Sequence, residues 1–189
     1  LEDRFKWFIE KNDFFKAWEI GAYAVNARDR LDAGLKDIGQ LIDRKEWGSA
    51  ASRISTIFSN TDLSPAEEDG FYEYAIQKWQ EMISVLIEYK KVDEIAPLIP
   101  HNPKLDAPIY DSVLEYYLDT GDFSMFAHYI HLWHVNFFTG AKFEDSLEER
   151  VELQDSHEAD YRKELVYLYL EENKYVRAIP HLLKMKDTR

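Results

Sequence analysis

The chain has 189 residues, a formal net charge of −13 and no cysteine. Its hydrophobic fraction of 46% is too high for a disordered segment, and its 7 glycines and 6 prolines are too few for a turn-rich β protein. The lack of cysteine excludes disulfide scaffolds, cysteine-ligated zinc and cysteine nucleophiles. No apolar run approaches the roughly 18 residues that cross a bilayer, and no signal peptide is visible, so we expect no direct membrane insertion.

In chain order, a unit of helix, short polar turn and helix occurs five times. We call the first apolar residue of each second helix the anchor, and the five anchors are Phe14, Trp47, Val92, Phe123 and Tyr175. Residues nine and five places before each anchor, and three and four places after it, are apolar, which is the helical period. We predict that each anchor closes its hairpin against the residue five places before it.

An alanine stands three or four places after every anchor, and Trp47 is followed by alanine at both places, Ala50 and Ala51. Such residues allow two helix backbones to approach closely. We therefore predict that a tryptophan at Ala50 or Ala51 costs about 1–3 kcal/mol of stability, or more if the backbone cannot shift.

Three irregular connections are expected, near 59–70, 99–108 and 139–142. The first contains a predicted helix start at Ser64-Pro65. The second holds three prolines, which delay the next helix until about residue 107. The third precedes an additional acidic helix, predicted at about 142–153, which we expect to bury the apolar run at 133–138.

These elements predict an all-α fold: an α-solenoid of stacked antiparallel helical hairpins, tetratricopeptide-like, with about eleven helices. We expect residues 1–189 to form a single solenoid fragment of a longer protein. Trp7 on the first helix and Leu183 on the last belong to apolar faces that need covering. We expect these faces to be partly exposed and to drive self-association through the uncapped ends.

The negative charge is concentrated in one part of the chain. Residues 1–58 hold ten basic and ten acidic residues, whereas residues 106–160 hold two basic and 13 acidic residues. Such a surface repels nucleic acid and anionic lipid, so we expect no nucleic-acid partner. The acidic stretch either attracts a basic partner or serves solubility, and we favour solubility.

No catalytic motif is present: there is no Gly-rich phosphate loop, no Gly-x-Ser-x-Gly and no His-Glu-x-x-His. His128, His131 and His134 are candidate metal ligands, but they span about 600° around a helix and cannot face one ion. We interpret Glu171 and Glu172 as ordinary helix-end charges. The sequence predicts no catalytic residue, no cofactor and no stoichiometric zinc, and it assigns no partner-binding residue.

Residues 98–133, LIPHNPKLDAPIYDSVLEYYLDTGDFSMFAHYIHLW, resemble the helical region of the vacuolar protein sorting 41 family. The distinctive features are Leu98-Ile99-Pro100 and Pro103 followed by Ile109-Tyr110, and then the Phe126-Ala127 pair and Trp133. Residues 5–21, 31–55 and 167–187 match that region in order and spacing. The resemblance therefore covers essentially the whole chain, and it best fits a fungal member. The insert at 59–70 departs from the family pattern.

The resemblance implies a structural and interaction scaffold, not an enzyme, within the HOPS tethering complex, which acts in vesicle docking and fusion between endosome and vacuole or lysosome. It implies a cytoplasmic protein, peripheral at late endosome and vacuole membranes. The implied partners are other tethering-complex subunits and, through regions outside this segment, a Rab GTPase. A β-propeller is implied before the segment, and further solenoid with a zinc-binding RING-like end after it.

Three alternatives remain open at this point. The chain could be a peptide-binding tetratricopeptide-like module for basic partners, or the solenoid of another trafficking coat. A metal-dependent enzyme using the three histidines is the third alternative. Metal analysis of the purified protein tests the third, and a pull-down with basic peptides separates a peptide-binding module from a scaffold.

Overall fold

The structure is a computed structural model that describes residues 1–64 and 69–187. Within these ranges it contains eleven α-helices, one short 3-10 turn at Ala96–Leu98 and no strand. The predicted all-α class and helix number are therefore confirmed. The helices are α1 (Glu2–Glu10), α2 (Phe14–Ala24), α3 (Ala27–Asp43), α4 (Trp47–Ser59), α5 (Phe71–Glu88), α6 (Val92–Ile95), α7 (Ala107–Asp119), α8 (Phe123–Leu132), α9 (Gly140–Glu152), α10 (Glu158–Glu171) and α11 (Tyr175–Asp187).

The chain divides into two compact units, Leu1–Pro100 and the part that begins at His101. In the first unit each helix from α1 to α6 packs against the next one along the chain. In the second unit α7 packs against α8, and α10 lies between α9 and α11. That residues 1–189 form a single solenoid stays a prediction.

All five predicted hairpins close with the same backbone turn, and every anchor is the first residue of a helix. In each turn the amide just before the anchor donates to the carbonyl five residues earlier, at 2.7–2.9 Å. This is the Schellman arrangement, which satisfies carbonyls at the end of the first helix and requires a left-handed residue. That residue lies two places before the anchor and has a positive φ: Asn12 (58°), Lys45 (58°), Lys90 (61°), Gly121 (76°) and Asn173 (60°).

Two positions of the repeat are buried in all five hairpins. They lie nine places before and three places after the anchor: Phe5, Ile38, Ile83, Leu114 and Val166, and Ala17, Ala50, Ile95, Phe126 and Ala178. The helical period therefore identifies two positions of each hairpin that are buried in the core.

The prediction that each anchor closes its hairpin against the residue five places before it is wrong for the last hairpin. Tyr175 is 58% exposed and Leu170 is 40% exposed. The buried residue in this part of α10 is Tyr169, six places before the anchor. At about 100° per residue, the positions nine and six places before the anchor define the centre of the buried face, and the position five places before it lies at the edge.

The irregular connections follow from local chemistry. Ser64 is not helical, and the rest of the helix start predicted at Ser64-Pro65 lies outside the described residues. α7 begins at Ala107, as predicted, with a proline in its first turn. The third connection lies at 133–139 and not at 139–142, because the Asp111 carboxylate accepts hydrogen bonds from the Thr139 amide and hydroxyl, both at 2.7 Å, and fixes the start of α9 at Gly140.

Helix α3 packs most closely against its neighbours at Gly34. A β-carbon at this position would lie 2.9 Å from two side-chain carbons of Ile57 on α4 and 3.1 Å from Cδ1 of Trp18 on α2. By contrast, a β-carbon at Gly39, five residues later on the same helix, would meet no atom within 4 Å. Glycine at position 34 thus permits three helices to meet.

We expect Gly34→Ala to lower the free energy of unfolding by about 1 kcal/mol, because the overpacking cost exceeds the gain in helix propensity. The matched control Gly39→Ala should raise it by about 0.5–1 kcal/mol, since alanine is the better helix former and no contact opposes it. Urea denaturation of the two variants measures both changes. If both substitutions stabilise the chain equally, the inference that the helices approach closely at Gly34 is wrong.

Candidate interaction surface

The three candidate histidines do not converge. The Nε2 atom of His131 on α8 lies 2.6 Å from Oε2 of Glu164 on α10, whereas Nδ1 of His134 faces the side chain of Asn136 at 2.9 Å. The ring of His128 instead stands edge-on to Tyr129. Within residues 1–64 and 69–187, no three His, Asp or Glu side chains form a group that could hold a metal ion. The absence of zinc stays a prediction for metal analysis.

His131 and Glu164 link two helices of the second unit. Burial raises the pKa of the Glu164 carboxyl above its ordinary value, and the neighbouring His131 opposes that rise. The His131 ring also packs on Tyr167, with ring centroids 4.0 Å apart. This arrangement explains His131 as a structural contact between α8 and α10.

The acidic helix α9 covers part of the run at 133–138, as predicted. Trp133 and Phe138 are buried, and the ring of Phe138 stands edge-on to Phe143 of α9 at 5.9 Å. His134 and Asn136 are exposed. The run therefore contributes its two largest buried rings to the core of the second unit.

A buried carboxylate connects α9 to the last hairpin. Glu144 on α9 is almost fully buried, and its Oε2 atom accepts a hydrogen bond of 2.8 Å from Nζ of Lys174. Lys174 also lies 3.0 Å from Oε2 of Glu172. Burial raises the pKa of Glu144, with the Lys174 ammonium acting against that rise and the Glu172 carboxylate adding to it. Glu172 is thus part of a structural network, whereas Glu171 is exposed.

A second network connects α11 to α10 and α9. His181 on α11 is buried, and its Nδ1 atom lies 2.9 Å from Nη1 of Arg162 on α10. Because the guanidinium can only donate, Nδ1 must accept, and the Nε2–H group donates a hydrogen bond to Oε1 of Glu148 on α9 at 2.8 Å. The Tyr169 hydroxyl donates to the same Glu148 oxygen at 2.7 Å. The two networks hold α11 at Lys174, the residue just before its start, and at His181 on its polar face.

The opposite face of α11 is apolar and exposed. Its large side chains lie within an arc of about 120° around the helix axis, since successive residues of an α-helix are about 100° apart. The exposed residues are Tyr175, Val176, Ile179, Leu182 and Leu183. We call this set the α11 face. On α1, Trp7 is exposed and Phe5 is buried, so the exposure expected of Trp7 and Leu183 is present in the structure.

We expect the chain to self-associate through the α11 face, since contiguous exposed apolar patches mark interaction sites. Val176→Glu together with Leu183→Glu should weaken the association by introducing charge into that face. Leu153→Glu is the matched control, because Leu153 is exposed outside α11. Sedimentation over a concentration series measures the effect. A chain that stays strictly monomeric at high concentration contradicts the expectation.

Many carboxylates of the acidic stretch 106–160 have partners within the second unit. Glu115 pairs with Lys142, and Arg150 lies 3.7 Å from Asp119. Others, including Asp145 and Glu152, are exposed. In the part of the chain that the structure describes, no helix has the length and apolar character needed to span a membrane.

Comparison with known proteins adds a family to this description. The model of one family, described as the Vps41 TPR-like region, matches residues 32–189. The chain is 38% identical, over all of its length, to vacuolar protein sorting-associated protein 41 of Saccharomyces cerevisiae. It is 23% identical, over 98% of its length, to the Vps41 homologs of Mus musculus and Homo sapiens. It spans 20% of the length of each of these relatives. No solved structure matches the chain.

Proposed function

Because the chain belongs to the vacuolar protein sorting 41 family, we propose that it is a structural scaffold segment of a membrane-tethering complex, without enzymatic activity. In this proposal it acts in vacuolar protein sorting, during vesicle docking and fusion between endosome and vacuole or lysosome. Its relatives carry vacuolar protein sorting in their names. The protein would act in the cytoplasm, peripherally at late endosome and vacuole membranes.

The α11 face is the observation that carries the proposal. α11 is held by Lys174, just before its start, and by His181 on one face, while the opposite face presents five large apolar side chains to solvent. In a stacked-hairpin protein each hairpin buries its apolar face against the next, so such a face is a docking surface for another helical element. A scaffold that joins protein segments needs such surfaces and no reaction centre.

The proposed partners are other subunits of the tethering complex, with a Rab GTPase engaged through regions outside this segment. The five hairpins are built alike, since the same two positions are buried in each. We propose that this regularity serves to hold neighbouring parts of the complex at fixed spacing.

The experiment replaces the matching segment of the Saccharomyces cerevisiae relative with this chain and measures delivery of a soluble vacuolar enzyme. The chimera should restore sorting, and its Val176→Glu/Leu183→Glu variant should not. Leu153→Glu serves as the control for added charge. A chimera that restores sorting equally well with the double variant argues against the proposal.

Co-precipitation of the other complex subunits with the chimera separates two ways of failing. If the double variant loses sorting but keeps all subunits, the α11 face acts within the protein itself. If it also loses subunits, the face acts in assembly. A chimera that binds no subunit of a tethering complex contradicts the scaffold role.

A further inference from the structure

A small cleft opens in the first unit where the end of α2, the start of α3 and the end of α4 meet. Its volume is about 210 Å³, below the roughly 300–1,000 Å³ of sites for drug-sized ligands and cofactors. Its size suits a single side chain. Its walls include Ala22, Val25, Ala27, Arg30, Asn60 and Asp62. The cleft does not involve α11, so its role is independent of the proposed tethering function.

The guanidinium of Arg30 is held in place at this cleft. Its Nε–H donates to the carbonyl of Trp18 at 2.9 Å, and Nη1 donates to the carbonyl of Asn60 at 3.1 Å. Its central carbon also lies 4.1 Å from the centre of the Trp18 ring. A side chain fixed by α2, by its own helix α3 and by the end of α4 has little entropy left to lose when a ligand binds.

The guanidinium of Arg30 has no ion-pair partner among the described residues, and its two donated hydrogen bonds go to neutral carbonyls. A guanidinium has five N–H groups, so three stay available. Partial burial lowers the pKa of Arg30, since the charged form has lost part of its hydration.

The rest of the lining also suits an acidic side chain. Ala22, Val25 and Ala27 are small and apolar, so they can contact the methylene groups of a glutamate. Ala27 is the first residue of α3, where the helix dipole adds partial positive charge. Among the described residues of the lining, Asp62 is the unfavourable group, and its Oδ1 accepts the Ser64 amide at 3.1 Å.

We propose that this cleft binds the side-chain carboxylate of a glutamate or aspartate presented by a protein partner. The carboxylate pairs with the available N–H groups of Arg30 in a charge-assisted contact, and the aliphatic part of the acidic side chain packs on Ala22 and Val25. The cleft thus recognises an acidic segment, whereas the acidic stretch 106–160 would repel one.

The test is a nuclear magnetic resonance titration of the 189-residue chain with N-acetyl-glutamate N-methylamide. We expect saturable shifts of the Arg30 Nε–H and of the Ala22 and Ala27 amides, with a dissociation constant on the order of 1 mM for so small a ligand. The glutamine analogue, which has the same shape without charge, should give no saturable shift. Equal shifts with both probes would overturn the proposal.

Four variants define the site. Arg30→Gln should abolish the shifts, and Asp62→Asn should tighten binding about two- to fivefold by removing a like charge. Ala22→Leu should fill the cleft and abolish binding while Arg30 stays in place, which keeps the test valid if Arg30→Gln does not fold. Arg28→Gln is the matched control, because Arg28 is exposed and packs on Tyr74 outside the cleft.

The source of the carboxylate is tested with N-acetyl-alanine, which offers a chain-terminal carboxylate. Tighter binding of this probe than of the glutamate probe would contradict recognition of a side chain. Binding that survives in Ala22→Leu, or that is lost in Arg28→Gln, would place the contact elsewhere and overturn the assignment to Arg30.

Discussion

Replacing Ala50 with tryptophan is expected to lower the free energy of unfolding by about 3 kcal/mol or more, the upper end of the cost of overpacking a core. Ala50 has 0% of its surface exposed and lies at one of the two repeat positions that are buried in every hairpin. Helices α3 and α4 approach so closely that even a methyl group at Gly34 would press on Ile57. An indole cannot enter this contact unless the helices separate.

Ser49→Trp is the matched control, because Ser49 precedes Ala50 on α4 and is exposed. It should change the stability by less than about 0.5 kcal/mol, as surface substitutions usually do. Urea denaturation followed by far-ultraviolet circular dichroism measures both variants. If the Ala50→Trp and Ser49→Trp variants unfold at the same urea concentration, the inference that α3 packs closely on α4 is wrong.

The sequence predicted the repeat of the fold well because the determinants are local. Each anchor, such as Trp47, follows a polar turn at a fixed place, and the turn ends in a Schellman arrangement whatever its residues are. Lys45 and Lys90 adopt the left-handed conformation without being glycine or asparagine, so residue type alone did not reveal the position. The hydrogen-bond pattern of the turn, not its composition, is what repeats.

The face of a helix that is buried most deeply was harder to predict. The residues three and four places after a buried position both lie on the same side of a helix. The sequence pattern favoured the residue four places after it, which is the position five places before the anchor. The structure shows Tyr169 buried and Leu170 exposed, although leucine is the more hydrophobic choice. Tyr169 is favoured because its hydroxyl has a partner in Glu148 on α9, a contact that depends on a residue 21 places away in the chain.

The exposed apolar faces could be predicted, since exposure of Trp7 and Leu183 follows from the amphipathic pattern of single helices. The Arg30 cleft could not. Its guanidinium is held by carbonyls 12 and 30 residues away in the chain, and backbone carbonyls leave no mark in a sequence. The networks around Glu144 and His181 could not be predicted either, because their side-chain partners lie 19 to 33 residues away in the chain.

Replacing Lys174 with methionine is the second change with a large expected effect. Lys174 is the cation beside the buried Glu144 carboxylate, whose Oε1 atom is buried and has no hydrogen-bond partner among the described residues. Removing one member of a buried ion pair leaves the other uncompensated. Because the Lys174 side chain is 31% exposed, we expect a loss of about 1–3 kcal/mol near neutral pH, below the full cost of a buried pair.

The effect should depend on pH in a defined direction. Burial raises the pKa of Glu144 above its ordinary value of 4.5. A carboxyl with a raised pKa in the folded state contributes stability below the unfolded pKa and loses it as pH rises through the folded pKa. Without Lys174 the pKa of Glu144 rises further, so the cost of Lys174→Met should be larger at about pH 8 than at about pH 5, because the raised pKa favours the neutral carboxyl at the lower pH.

Glu144→Gln combined with Lys174→Met should restore most of the lost stability, because the neutral amide needs no cation and no longer opposes the Glu172 carboxylate. Lys163→Met is the control for loss of a lysine, since Lys163 is exposed on α10. Urea denaturation at the two pH values measures all three variants. A loss for Lys174→Met that is the same at both pH values, or that the added Glu144→Gln does not relieve, would show that the buried charge is not the cause.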